Sequence, residues 1–564
     1  MGEKKANSRI RLLAVVFPIL FAGVLARAVY IQAAEHTKFA GMAKRQHHST
    51  VTTRAGRGPI FDRTGVELAA GVQKMTVFAD PTQIQDPREV AMAAHDILGV
   101  SANSLYPLLL NKKTQYVPIL RFADAAKAEL LANKKIPGIG FLPEEQRGYP
   151  QNSVGAQIIG FAGTDNKGLV GLEYQYDHAL SGRPGTQTIV QDPFGRAIDV
   201  ISSRPEREGL PIFSTIDHTI QANAEAVLRA TMAKWGAKDA TAVVLDPRTG
   251  EVLAMAQAPG YNANNTSTAS QATLRNRAVT DTYEPGSTFK LVTVTAALSE
   301  GLVTPKTRFT LPYSIHVADR TVHDAERRGT VNYNVSQILK YSSNVGAITL
   351  AEKLGAPALS RWIAKFGFGH TTGIDFPGES PGLMLQLDQW SGSTIGNVPI
   401  GQGVAVTPIQ MASIYAAVAN DGIWIQPHLV SKIGGRVLTG FAHRRIMSPL
   451  VDRQVKTMLT GVVEAGTGVE AAIPGYSVAG KTGTAQKPDG HGGYSKYNYV
   501  ASFVGMVPAK DPKLVVLVTV DEPRGAIFGG VVAAPAFQEI AKFDLQYLEV
   551  PPDQPATRTV LGAR

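Results

Sequence analysis

The longest apolar run in the chain lies near its start. Residues 12–34 read LLAVVFPILFAGVLARAVYIQAA, and the segment 1–11 before them carries Lys4, Lys5, Arg9 and Arg11 against one acid. A short basic tail ahead of an apolar segment follows the positive-inside pattern. At 1.5 Å per residue the run extends about 34 Å as a helix, enough for a hydrocarbon core of about 30 Å. Only Arg27 interrupts it, close enough to the outer end to snorkel, and Pro18 is tolerable where water or a partner helix satisfies the freed carbonyl. A cleaved signal peptide, with 12–25 as its apolar region and Ala26-Arg27-Ala28 as a poor cleavage site, is the competing reading. The apolar character continues through Val29, Tyr30 and Ile31, which favours a retained anchor. Both readings export the rest. No later stretch approaches about 18 uninterrupted apolar residues, so a single span is expected.

Beyond the anchor, residues 35–210 alternate short β-type pieces with turn signals: Gly56-Arg57-Gly58-Pro59, Pro137-Gly138 and Gly182-Arg183-Pro184-Gly185. The pattern predicts an irregular β-rich module with surface helices over 88–98 and 124–132. A second domain is expected over 211–549, opening with a helix over 218–234. The segments 241–246 and 251–256 flank Pro247-Arg248-Thr249-Gly250 as a hairpin, and 499–507 and 514–521 form two further apolar strands. The sheet therefore draws on both ends of this domain. Helical stretches over 335–343, 357–366 and 408–419 lie between, giving an α+β fold with a helical subdomain on a mainly antiparallel sheet. Residues 550–564 are Pro-rich and polar, and are expected to form a flexible tail.

Composition adds little to this picture. Of 564 residues, 44 % are hydrophobic and 18 % charged, enough for two or three packed domains and unlike a disordered scaffold. The net charge of +10 is dispersed, with no basic block to argue for nucleic acid. Cysteine is absent, which excludes disulfides, thiolate metal sites and a cysteine nucleophile.

The chemistry lies in three short motifs of the second domain: Ser287-Thr288-Phe289-Lys290, Ser342-Ser343-Asn344 and Lys481-Thr482-Gly483-Thr484. Singly each is weak, since such patterns also occur on helix faces, turns and edge strands. In this order, 55 and 139 residues apart, they match the S-x-x-K, S-x-N and K-T-G signature of penicillin-recognising serine acyl-enzymes. Pro285-Gly286 marks a helix start, placing Ser287 where free N–H groups and the helix dipole favour developing negative charge. Lys290, three residues on, overlies the same face. It can take the Ser287 proton only if burial or a nearby cation depresses its pKa, and Lys481 could be that cation. Ser342 can relay a proton to a departing amine, and Asn344 offers an amide to hold a peptide. Lys481, Thr482, Gly483 and Thr484 suit an edge strand: Gly483 lets a substrate backbone approach, while the charge and hydroxyls suit a carboxylate. The Ser287 and Thr484 N–H groups would form the oxyanion hole. Glu379 sits where a β-lactamase could place a deacylating carboxylate, but its Pro377-Gly378 and Pro381-Gly382 surroundings read as a turn. His323 with Asp324, and His491, have no work left by the lysines and serines, and the histidines read as surface groups.

Around the motifs stand Arg275-Asn276-Arg277-Ala278-Val279, Tyr283-Glu284-Pro285-Gly286, Gly401-Gln402-Gly403 and Ala533-Ala534-Pro535-Ala536-Phe537. With these the chain resembles the class B penicillin-binding proteins, from the anchor to about residue 548. Arg57, Gly58, Asp62, Arg63 and Glu173 in the first module are similar to the family's non-catalytic pedestal motifs, which a β-lactamase would lack. The run from Arg147-Gly148-Tyr149-Pro150 to Gly171-Leu172-Glu173 looks most like the septal, cell-division subclass. The elongation type is the nearer rival, and a catalytically idle β-lactam-binding scaffold or sensor is the alternative of a different class. The resemblance implies a D,D-transpeptidase: Ser287 attacks the bond between two terminal D-alanines of a peptidoglycan stem peptide, and a neighbouring amine resolves the acyl-enzyme. With water as acceptor the same residues would give a carboxypeptidase or a β-lactamase. It further implies covalent capture of β-lactams at Ser287, no metal or organic cofactor, and a polytopic SEDS-type glycan polymerase touching anchor and pedestal among other division proteins. The expected location is the bacterial inner membrane at the septum, with the catalytic domain outside the cytoplasm. Within the anchor, Arg27, Ala22, Gly23 and Ala26 could line a helix interface or face lipid.

Overall fold

The computed structural model describes residues 2–53, 55–191, 197–491 and 493–555. The apolar run forms one helix, Gly2–Ala33, of which Arg9–Ala33 is long and apolar enough to cross a membrane. Its apolar side chains are exposed, as a single-pass anchor requires. Among the described residues no other helix meets that measure.

The chain divides into two compact units. The first takes in Met1–Gly56 and Gly182–Gly209. It contains the anchor, the helix His36–His47 and a three-stranded antiparallel sheet in which Gly185–Gln191 lies between His48–Thr53 and Ala197–Arg204. The second unit takes in Arg57–Ser181 and Leu210–Arg564. The division by contacts cuts across the boundaries 35–210 expected for the first module. Strand Ile60–Phe61 pairs in parallel with Ile212–Ser214, which pairs in turn with Val430–Ile433, so backbone hydrogen bonds carry residues 57–181 into the second domain. Asp62 reinforces the junction. It accepts from the backbone of Thr64 and Val66, both at 2.8 Å, and lies 2.7 Å from His218 Nδ1. Within 57–181 the helix Pro87–Leu98, capped by Asp86 and ended by left-handed Gly99, packs Val90, Ala91 and Ala94 against strands Glu67–Ala79 and Val117–Ala123.

The second domain is built on a five-stranded antiparallel sheet in the order Val252–Ala258, Asp239–Leu245, Leu514–Asp521, Tyr494–Val507, Ala479–Pro488. Its central strands carry apolar residues on both faces, the mark of a sheet covered on both sides. Val243, Val515 and Leu517 face a large core with helix Pro408–Ala419, whereas Ala242, Val244, Val516 and Val518 face helices His218–Trp235 and Gly529–Tyr547. The helix Lys290–Ser299 is buried along nearly its whole length within the first of these cores. Helices Val335–Lys340, Asn344–Leu354, Ala356–Phe366 and Pro449–Ala465 surround it.

Residues 550–555 depart from the flexible tail expected over 550–564. Tyr476 donates to the Val550 carbonyl at 2.6 Å, the Ser477 N–H donates to Asp553 at 2.7 Å, and the Gln554 N–H donates to the Gly475 carbonyl at 3.1 Å. A polar, Pro-rich composition does not prevent docking where the neighbouring loop offers partners. Residues 556–564 lie outside the described residues.

Candidate active site

Ser287 stands in a single 3-10 turn, Gly286–Phe289, that runs directly into helix Lys290–Ser299. The turn demands glycine on two sides. Gly286 has φ +54°, its N–H donates to the Gly401 carbonyl at 3.0 Å, and a Cβ on Gly401 would come within 2.1 Å of the Gly286 carbonyl oxygen. Thr288 is buried and its carbonyl accepts from the Tyr415 hydroxyl at 3.0 Å. Ser287 stays half-buried between such neighbours, and its hydroxyl has no hydrogen-bond partner among the described residues.

The second motif forms a bend between helices Val335–Lys340 and Asn344–Leu354. The helix expected through 343 stops early because Ser342 adopts φ +57°, a left-handed conformation that costs a serine on the order of 1–3 kcal/mol. The strain turns the Ser342 hydroxyl toward two fully buried lysines. Lys290 Nζ donates to the Ser342 carbonyl at 2.5 Å, to Asn344 Oδ1 at 2.7 Å and to Ser342 Oγ at 3.3 Å. Lys481 Nζ donates to Ser342 Oγ at 3.0 Å and to the Thr482 carbonyl and hydroxyl, each at 3.2 Å. Burial pushes the Lys290 amine down to about 7, and Asp324 acts in the opposite direction. Lys481 is driven well below the ordinary amine range, first by burial and then by Lys290. Two amines on one hydroxyl in a dry setting resist carrying two charges together, so a neutral amine is available near neutral pH.

The third motif occupies the edge strand Ala479–Pro488, paired with Tyr494–Val507 so that Gly483 faces Ser502 and Thr484 faces Ala501. The edge position agrees with the expectation, but the reason for Gly483 differs. A Cβ there would meet Ser502 Oγ at 2.3 Å and the Pro285 carbonyl at 2.9 Å, so the protein's own serine turn needs that space. The Thr484 hydroxyl accepts from the Gly529 N–H at 3.1 Å, and Thr482 shares a 2.8 Å bond with Thr467. The Asn344 amide is held at both ends, its Nδ2 donating to the His323 carbonyl at 2.9 Å. The three motifs, separated widely in sequence, thus meet in one place.

A family model described as the penicillin binding protein transpeptidase domain matches residues 240–542, and one described as the penicillin-binding protein dimerisation domain matches 52–213. Stage V sporulation protein D of Bacillus subtilis is 34 % identical over 570 residues, covering 98 % of this chain and 88 % of that protein. Peptidoglycan D,D-transpeptidase FtsI of Escherichia coli is 34 % identical over 506 residues, covering 88 % and 84 %. The chain belongs to the class B penicillin-binding proteins. A crystal structure of penicillin binding protein 3 from Mycobacterium tuberculosis in complex with aztreonam superposes with a TM-score of 0.71 at 30 % identity, covering 90 % of this chain and 99 % of that one.

In this penicillin-binding protein the pedestal motif residues divide into two groups. Arg57 Nε donates to Glu173 Oε2 and Arg147 Nε to Glu173 Oε1, both at 2.6 Å, while Arg57 Nη1 reaches Asp177 at 2.7 Å. Asp62 joins His218 as described, and Arg63, at 3.6 Å from Glu251, spans to the hairpin of the second domain. Gly58 donates to the Leu180 carbonyl at 2.8 Å. Glu379 behaves as the turn group expected of it, accepting from the Thr372 N–H at 2.7 Å and from the Gly373 N–H at 3.0 Å. His323 and His491 are exposed. Asp324 is different: it is buried and holds the second motif. Sequence reasoning paired it with His323 and passed over it. Glu284, beside the serine turn, was also given no role. It accepts from the Gly403 N–H at 3.0 Å and the Tyr494 hydroxyl at 3.1 Å, tying that turn to two rims of the site.

Proposed function

We propose that this class B penicillin-binding protein is a peptidoglycan D,D-transpeptidase that works through an acyl-enzyme on Ser287. The observation that carries the reading is the Ser342 hydroxyl held between two buried lysines, one with an amine near 7, where Lys290 follows directly on the turn that carries Ser287. Neutral Lys290 takes the Ser287 hydroxyl proton as the oxygen attacks the carbonyl between the terminal D-alanines of a stem peptide. The Ser287 and Thr484 N–H groups receive the oxyanion, an arrangement supported by Gly286, whose Cβ would lie 3.1 Å from the Thr484 carbonyl oxygen. The carbon–nitrogen bond then breaks, and the departing D-alanine amine takes a proton relayed through Ser342. A neighbouring stem-peptide amine attacks the acyl carbon, gives its proton back along the same route and frees Ser287. Asn344, Lys481, Thr482 and Thr484 serve the substrate, and Arg57, Gly58, Asp62, Arg63 and Glu173 serve the pedestal and its junction. Penicillins would acylate Ser287 in the same way.

The cellular role we assign is septal wall synthesis in the bacterial cytoplasmic membrane, with residues beyond the anchor outside the cytoplasm. A SEDS-type polymerase and other division proteins are its partners. Similarity to a protein named for cell-wall synthesis alone would not select this role; the motif run from Arg147 to Glu173 supports it. The relative named for sporulation supports a second reading, a stage-specific wall enzyme.

Intact-mass measurement of the detergent-solubilised chain after incubation with a penicillin tests the chemistry. A stable adduct on the wild type and none on Ser287→Ala is expected. No adduct on a folded wild type would leave only the scaffold reading, and rapid drug hydrolysis would favour a β-lactamase. Depletion in growing cells tests the role: filaments are expected, rounded cells would indicate elongation, and normal growth would point to sporulation.

A further inference from the structure

We propose that Asp324, backed by Arg328, is a positioning residue that anchors the Ser342-Ser343-Asn344 segment and sets the pH range over which Lys290 can act. The inference rests on the acyl-enzyme reading above. Asp324 belongs to none of the three motifs, yet its carboxylate is the hub of the second. Oδ1 accepts from the Asn344 N–H at 2.6 Å and the Val345 N–H at 3.0 Å, and the Ser343 hydroxyl lies 3.1 and 3.0 Å from the two carboxylate oxygens. Ser343 Oγ itself accepts from the Gly346 N–H at 3.0 Å. Between them the two side chains cover three of the free N–H groups that open helix Asn344–Leu354, and a carboxylate at that end is favoured by the helix dipole.

The other side of Asp324 is held just as firmly. Arg328 Nε donates to Oδ2 at 2.9 Å and Nη2 to the same oxygen, while Arg328 also donates to the carbonyls of Leu311 and Gly329 at 3.0 and 2.8 Å. An arginine fixed by backbone acceptors fixes the carboxylate, which fixes Asn344, whose Oδ1 receives Lys290 at 2.7 Å. Position and charge therefore reach the amine along one path. Among the described residues the charged groups acting on Lys290 are Asp324, with Arg328 behind it, and Lys481 across Ser342. Among the described residues, the four helices packed on Lys290–Ser299 place no charged side chain within hydrogen-bond reach of the amine, only Asn344. Asp324 is thus the one anion that favours protonated Lys290, and losing it would keep the amine neutral to lower pH.

The test is the rate of acylation of the full chain in detergent by a fluorescent penicillin, measured from pH 5 to 9 for wild type, Asp324→Asn and Ser343→Ala. Asp324→Asn keeps the shape and one acceptor but removes the charge. Its acidic limb should move to lower pH by roughly half a unit or more, while its plateau rate falls through the looser hold on Asn344. Ser343→Ala loosens the same helix start with the charge in place, so its rate should fall with the limb unmoved. An Asp324→Asn limb coincident with wild type in a folded protein would overturn the inference, as would an equal shift in Ser343→Ala. Absence of any acylation in the wild type would instead defeat the underlying reading of Ser287.

Discussion

Glu173→Gln should open the pedestal without stopping the chemistry. Glu173 is 0 % exposed, and its two oxygens neutralise Arg57 and Arg147, which are 4 % and 8 % exposed. The glutamine keeps the shape and one acceptor but leaves two buried guanidiniums with half their countercharge. Arg57 retains Asp177, whereas Arg147 keeps only a 3.4 Å contact to the Arg57 carbonyl and already has Nη2 without a partner. Removing one partner of a buried charged pair costs about 3–5 kcal/mol. That corresponds to local opening favoured by about a hundred- to several-thousand-fold. Amide hydrogen exchange of the segment 168–181 reads this directly, because the Gly168 N–H is held by Asp177 and the Arg57 Nη2 by the Glu173 carbonyl. Penicillin acylation of the same preparation should persist, since among the described residues no hydrogen bond or ion pair joins the Glu173 cluster to the serine turn. A change in protection of less than tenfold would refute the view that this cluster holds the pedestal together. Arg147→Leu should cost less, because Arg57 would still pair with Glu173.

Acylation of the wild type should rise with pH through about 7, since below it Lys290 holds the proton it must lack to act as base; a rate flat from pH 5 to 9 would exclude Lys290 from that role. Gly401→Ala should cut acylation by about a hundredfold, because its Cβ would lie 2.1 Å from the Gly286 carbonyl and force the serine turn to move. Wild-type rates in that variant would show that the turn has slack to spare. Asp62→Asn should destabilise the junction by about 1–3 kcal/mol near neutral pH, measured by urea unfolding. Burial alone would raise the Asp62 carboxyl, but bonds from His218, Val66 and Thr64 outweigh it and hold it below its ordinary 3.8. Its contribution is therefore fully present above 3.8 and lost as pH falls below that through the lowered folded-state value, so the gap between wild type and variant should close in acid.

The parts of this molecule legible in the sequence are those where local pattern and final environment agree. Leu514–Asp521 reads as a strand because it is apolar on both faces, and both faces are in fact covered. Helix Pro408–Ala419 follows Thr407 and carries Gln410, which close a capping box that is visible as T-x-x-Q. The three motifs are legible because their chemistry restricts residue type. What was not legible depends on partners distant in the chain. The tail from Val550 docks through Asp553 on Ser477, and polar composition cannot announce a specific acceptor. The early stop after Lys340 comes from Ser342 in a left-handed conformation, which no propensity for serine foretells. Asp324 was hidden for the same reason, since nothing around it predicts that its carboxylate will meet a helix start twenty residues later.

The placement of Gly483 bears on how such a site can be built. An edge strand leaves backbone groups open to an extended peptide, which suits recognition of a stem peptide by strand addition. An edge also lacks the neighbour that would hold it in place. Here the missing support comes from the serine turn itself: Gly286 lies against the Thr484 carbonyl, and the space beside Gly483 is taken by Pro285 and Thr288. Behind the strand, a Cβ on Gly529 would come within 2.3 Å of the Gly483 carbonyl, so helix Gly529–Tyr547 closes on it from the other side. The serine turn and the edge strand therefore position each other directly. The arrangement accounts for the strain at Ser342 as well. With Lys290 fixed to the turn and Lys481 fixed to the strand, the bend is the remaining element that can bring a hydroxyl to both amines, and it does so at a backbone angle that serine disfavours.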